Sequence, residues 1–183
     1  SRRTADCAPF LAFSGELAAA GSPEGLLDRL TAFYQTQGVG LLGMGQVFRA
    51  RRTGDGAELV PVEDRPPVRL ADLVGYRQQK DLLIRNTEAF LRGKGSNNVL
   101  LYGDAGTGKS TSIQALVNEY ADQGLRLIEL YKEQYDLIPD ILRQVKGRNY
   151  RFLLFLDDLS FEENETSYKY LKAVMEGRSE ERR

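Results

Sequence analysis

A chain of 183 residues with 42% apolar and 28% charged side chains is large enough for one hydrophobic core, as a single domain or a domain with a small appendage. Its 25 Lys and Arg against 26 Asp and Glu exclude a global basic field that would draw nucleic acid. The absence of histidine excludes Ser-His-Asp and Cys-His chemistry and His-ligated metal sites. A lone Cys7 makes no internal disulfide and suits a reducing cytoplasm, no apolar run approaches membrane-spanning length, and no secretory signal is read at the start. Ser1 in place of Met is expected of a processed chain or of a piece of a longer one.

The region up to Gly38 reads as helical. Ser22-Pro23-Glu24 combines a capping hydroxyl, a first-turn proline and an acid near the helix dipole, and Leu26, Leu27, Leu30 and Phe33 then fall on one face at helical spacing. "QVFRARRTGDGAELVPV" predicts two strands joined through Thr53-Gly54-Asp55-Gly56, and Pro66-Pro67 within "EDRPPVRL" marks a linker. The expected division is a helical and hairpin region over residues 1–64 and a core over residues 65–183.

The second region alternates. A helix over Arg77 to Arg92 is followed by "NVLLY", a helix from Lys109 to Gln123, and "LRLIELY". A helix carrying Leu137, Ile138, Ile141, Leu142 and Val145 comes next, then "RFLLFLD" and a last helix with Tyr168, Leu171, Val174 and Met175. The strand runs are nearly unbroken apolar, as required when helices cover both faces of a parallel sheet, so the expected fold class is α/β.

Two glycine-rich stretches compete for a phosphate. "GVGLLG", Gly38 to Gly43, matches G-x-G-x-x-G, but a helix precedes it and a strand follows, the reverse of what a dinucleotide site needs. It reads as a helix stop and a loop. "GDAGTGKS", Gly103 to Ser110, matches the phosphate-loop pattern G-x-x-x-x-G-K-[ST] between an apolar run and a helix. Gly103, Gly106 and Gly108 let the backbone wrap closely, so that the N–H groups of Asp104, Ala105, Thr107 and Thr111 join those of the glycines around phosphate oxygens at a helix N-terminus. Lys109 supplies a cation to the β- and γ-phosphates, and the Ser110 hydroxyl is a ligand for Mg²⁺. Asp157 then closes "FLLFLD", the place from which a second strand delivers an acid to that magnesium.

"LADLVGY" before a helix, then "GDAGTGKS", then "FLLFLDD" resembles the nucleotide-binding core of AAA+ ATPases over about residues 68–177. The chain is also similar to an uncharacterised bacterial group of AAA+-like ATPases that pairs an N-terminal helical and hairpin region with a "DDLSFE" strand end. The resemblance implies a P-loop NTPase parallel sheet, ATP and Mg²⁺ as cofactors, and ATP hydrolysis. It also implies an adenine pocket at Val74, Gly75 and Tyr76. Asp158 stands where the family more often has Glu, and is the residue implied to orient the attacking water, with Glu162 as runner-up. In that fold a polar sensor strand, an arginine finger and a helical lid follow, and the sensor strand lies between the phosphate-loop strand and the Asp157 strand. Only "EGRSEERR" follows Met175, so a gap at the centre of the sheet is expected and the sequence reads as a fragment.

The leading function is therefore an AAA+-like, cytoplasmic module that couples Mg-ATP turnover to remodelling an unknown protein partner, as a homo-oligomer in its full-length form. A P-loop kinase is one alternative. The other is a DNA-associated loader, resting on Arg49, Arg51 and Arg52, although solvated hairpin charges explain those arginines more simply and nucleic acid is disfavoured.

Overall fold

The structure is a computed structural model that describes residues 13–15, 17–19, 21–37, 41–54 and 56–157. Helix α1 spans Pro23–Gln37, and its cap forms as the sequence requires, the Ser22 Oγ accepting a hydrogen bond from the Gly25 amide at 3.1 Å. Of its expected apolar face, Leu26 and Leu27 are exposed and Leu30 is half-buried, while the Phe33 side chain lies outside the described ones. A short helix α2, Leu41–Met44, leads into a hairpin of β1, Val47–Thr53, and β2, Gly56–Pro61. Helix α3, Arg77–Leu91, buries Leu83 and Thr87 and stops at Gly93, whose φ of 68° lies in the left-handed region. Helix α4, Lys109–Tyr120, is followed by β3, Leu125–Leu130. A 3₁₀ segment over Lys132–Leu137 runs into α5, Ile138–Val145, and β4 covers Arg151–Leu156.

One mixed sheet of order β2-β1-β3-β4 joins these elements. The hairpin is antiparallel, and β1 pairs in parallel with β3, which pairs in parallel with β4. The hairpin, read from sequence as part of a region ahead of the core, is thus hydrogen-bonded into the core sheet. β3 is the hub because alternate residues serve two cores. Leu125 and Leu127 pack with Val47, Leu116, Val117 and Tyr120 on the α4 face. Ile128 and Leu130 pack with Phe48, Tyr135, Ile138 and Ile141 on the α5 face. This is a P-loop NTPase-like α/β fold, a mostly parallel sheet flanked by helices.

One expected strand does not form. "NVLLY" lies in residues 95–102, which have no regular secondary structure, and Leu100 and Tyr102 are 68% and 90% exposed. A strand is defined by its ladder, and an apolar run without a neighbour to exchange hydrogen bonds stays an extended loop. Among the described residues, β4 closes one edge of the sheet with no strand on its outer side. The helix expected around Tyr168 to Met175 lies outside the described residues.

Candidate functional site

The loop over Gly103–Ser110 is shaped by its glycines. Gly106 and Gly108 have φ of 78° and 82°, a region that side chains disfavour, and Gly108 is the residue that starts α4. The Ser112 hydroxyl donates to the Gly108 carbonyl at 2.7 Å, and the Thr107 hydroxyl donates to the Asp104 carbonyl at 2.8 Å, which stitches the loop to itself and to the first helical turn. Lys109 folds back across the loop, its Nζ donating to the carbonyls of Gly103 at 2.9 Å and Asp104 at 2.8 Å. The lysine therefore folds back onto the loop it follows, at a helix N-terminus whose dipole and free amides attract anions. Asp104 and Ala105 are exposed on the loop, while Ser110 and Thr111 are exposed in the first turn of α4.

Ser110 and Asp157 come together. Both line a pocket of about 150 Å³ with Arg49, Ile113, Gln114, Leu127, Glu129, Leu130, Tyr131 and Phe155. Asp157 stands one residue past β4, and its backbone is held by two bonds: its amide donates to the Leu130 carbonyl at 3.4 Å, and the Tyr135 hydroxyl donates to its carbonyl at 3.3 Å. The parallel pairing of β3 and β4 thus carries the acid to the same end of the sheet as the start of α4. A hydroxyl and a carboxylate beside a glycine-rich loop of the phosphate-binding pattern form a donor set whose chemistry would suit Mg²⁺. Among the described residues, no three Asp, Glu, Cys or His side chains converge as a metal cage.

Eight of the ten lining residues were not singled out from sequence as site residues, Glu129, Tyr131 and Arg49 among them. Glu129 interrupts an otherwise apolar strand, a signal that was legible in "LRLIELY", and Tyr131 follows it. Arg49 was read as a solvated hairpin charge. It is half-exposed, and it also pairs with Glu129, its Nε donating to a carboxylate oxygen at 2.9 Å. That hydrogen bond is the chief reason its guanidinium titrates above its ordinary value, with the Glu129 charge adding to it. The other two hairpin arginines are also neutralised, Arg51 by Glu58 across the hairpin and Arg52 by Asp136.

The implied adenine residues stand elsewhere. Val74 is 94% exposed, Gly75 has φ of 81°, and Tyr76, exposed with a left-handed φ of 48°, precedes α3. None of the three lines the pocket of Ser110 and Asp157. Asp158 and Glu162 lie outside the described residues, as do residues 38–40 of the discarded "GVGLLG" stretch, whose remainder begins α2.

Comparison with known proteins gives partial matches at the level of sequence. The chain is 36% identical over 90 residues to the replication factor C large subunit of Staphylothermus marinus, covering 49% of this chain and 21% of that protein. It is 31% identical over 104 residues to the subunit of the same name from Methanococcus vannielii, covering 54% of this chain and 21% of that one. The subunit of Aeropyrum pernix is 32% identical over 91 residues, 49% of this chain and 18% of its own length. The chain thus spans about a fifth of the curated relatives it matches. No solved structure matches it. These similarities, with the phosphate loop, support a relationship to AAA+ ATPases. Residues 45–183 match the family described as "Protein of unknown function (DUF815)", and the chain belongs to that family.

Proposed function

We propose that this AAA+ ATPase-type module binds Mg-ATP at Gly103–Thr111 and couples its hydrolysis to remodelling a protein partner, with residues 65–183 supplying the phosphate loop and the magnesium ligands. The observation that carries the reading is the single pocket shared by Ser110, at the start of α4, and Asp157, at the end of β4. The loop amides and the α4 dipole bind the phosphates, and Lys109 exchanges its two loop carbonyls for the β- and γ-phosphate oxygens. Ser110 and Asp157 hold the magnesium, Asp157 through a coordinated water, since this ion sheds its hydration reluctantly. Bound magnesium neutralises charge that develops on the phosphates during transfer. Asp158 orients the attacking water, and Val74, Gly75 and Tyr76 receive the adenine once the exposed segment before α3 closes on it.

Lys109→Ala tests the binding claim. Equilibrium titration with a fluorescent ATP analogue is expected to show no measurable affinity in the variant, with an unchanged thermal midpoint. Parental affinity in Lys109→Ala would remove the reading. For the chemistry, Asp158→Asn is expected to keep ATP binding and block single-turnover hydrolysis in the full-length protein. Hydrolysis at the parental rate in Asp158→Asn, with loss in Glu162→Gln, would reassign the water to Glu162.

A loader that acts on DNA is the second reading, favoured by the relatives' name, replication factor C large subunit. The pairing of Arg51 with Glu58 and of Arg52 with Asp136 weakens it, because each of those guanidiniums already places two of its nitrogens on a carboxylate of the protein. Filter binding with single- and double-stranded DNA separates the two. No helix among the described residues is long and apolar enough to cross a membrane.

A further inference from the structure

Resting on the nucleotide reading of Gly103–Ser110, we propose that Arg49 of the hairpin distinguishes a nucleoside triphosphate from a diphosphate, its two Nη groups donating to the terminal phosphate. The sheet register sets this up. Arg49 is the parallel partner of Glu129, and Glu129 is the partner of Phe155, so the three side chains form one row across β1, β3 and β4. The row below it, Val47, Leu127 and Leu153, belongs to the α4 core. Arg49 and Glu129 therefore lie on the face covered by α4, at the end where that helix begins, and they share the pocket of Ser110 and Asp157.

The mode of attachment separates Arg49 from its neighbours. Arg51 engages Glu58 through Nε and Nη2, and Arg52 places both Nη groups on Asp136. Arg49 is held through Nε alone, and among the described residues neither of its Nη groups has a hydrogen-bond partner. The Glu129 side chain is only 14% exposed and acts as a fixed anchor, whereas the Arg49 side chain is 53% exposed. A guanidinium held at Nε keeps its planar fork for an anion, stays charged at every working pH, and matches two oxygens of a phosphate at once. Folding accounts for the Nε contact, which offsets the charge of the largely buried Glu129 carboxylate, and that contact leaves both Nη groups over. Lys109 and the loop amides address phosphates from the start of α4; Arg49 adds a donor from β1, in the pocket that it shares with Ser110 and Asp157.

The experiment titrates the full chain, in saturating Mg²⁺, with a non-hydrolysable ATP analogue and separately with ADP. Arg49→Ala is expected to lower affinity for the triphosphate analogue about tenfold or more, the weight of one or two charge-assisted hydrogen bonds, and to leave ADP affinity unchanged. Arg49→Lys should keep part of the preference, and Arg51→Ala, the same charge change two residues along the strand, should alter neither affinity. An unchanged ratio of the two affinities in Arg49→Ala, or an equal loss of both, overturns the proposal. If Arg49→Ala lowers the thermal midpoint, Arg49→Gln, which keeps most of the stem, carries the same comparison. Failure here is distinct from failure of the nucleotide reading: a parent chain that binds neither nucleotide sinks both, whereas a parent that binds both, with the ratio unmoved in the variants, sinks this one alone.

Discussion

Two short apolar segments flank helix α4, and they end in opposite states. β3, Leu125–Leu130, is buried on both faces because β1 and β4 pair with its two edges while helices cover it from either side. The "NVLLY" segment before the phosphate loop has a similar composition, yet Val99, Leu100 and Tyr102 are exposed. Composition gives a segment the capacity to be a buried strand. A ladder partner realises it, and the hydrophobic gain accrues only where water is excluded.

The largest break in this comparison comes from β3. Ile128 is fully buried on the α5 face, so Ile128→Ala removes transfer energy and leaves a cavity, and urea unfolding should show a loss of about 2–5 kcal/mol. Leu100→Ala, the matched truncation in the exposed segment, should stay within about 0.5 kcal/mol of the parent. Equal losses would mean that residues 98–102 are buried in the folded protein and that the contrast is false.

A smaller effect probes how far the burial of β3 extends towards its start. The Arg126 guanidinium is buried, lies over the Tyr150 ring at 4.1 Å from its centre, and donates to the carbonyls of Ala121 and Leu125. Among the described residues the buried Tyr150 hydroxyl has no hydrogen-bond partner, and burial pushes its pKa above the ordinary value. The unfolded chain releases that proton first as pH rises. The stabilising share of Tyr150 is thus complete below about pH 10 and is lost as pH climbs beyond it. Tyr150→Phe should match the parent within about 0.5 kcal/mol at pH 7 and lose less stability above pH 10. Parallel alkaline profiles for the two proteins would show that the hydroxyl is solvated.

The sequence disclosed most where chemistry fixes residue type and spacing. Gly106, Gly108, Lys109 and Ser110 identify the loop because few other residues adopt its backbone or serve a phosphate, and Ser22 announced its helix for a similarly local reason. Asp157 was legible as the end of an apolar run. What stayed hidden depends on pairing between distant parts of the chain. Arg49 meets Glu129 across 80 positions, and only the parallel register of β1 with β3 brings the hairpin to the site. The same dependence misled the reading of "NVLLY", whose residues suit a strand that no described neighbour completes. Leu26 and Leu27 show the converse, two positions of a helical apolar pattern that stand exposed.

The central claim is that α4 and β4 meet to hold magnesium on a bound triphosphate. Its most direct test is ATP affinity measured with and without Mg²⁺ in the parent and in Asp157→Ala. The parent should bind ATP more tightly when Mg²⁺ is added, and Asp157→Ala should lose most of that gain while its affinity without metal stays near the parental value. An undiminished response to Mg²⁺ in Asp157→Ala would contradict the account, because Asp157 would then have no part in holding the ion.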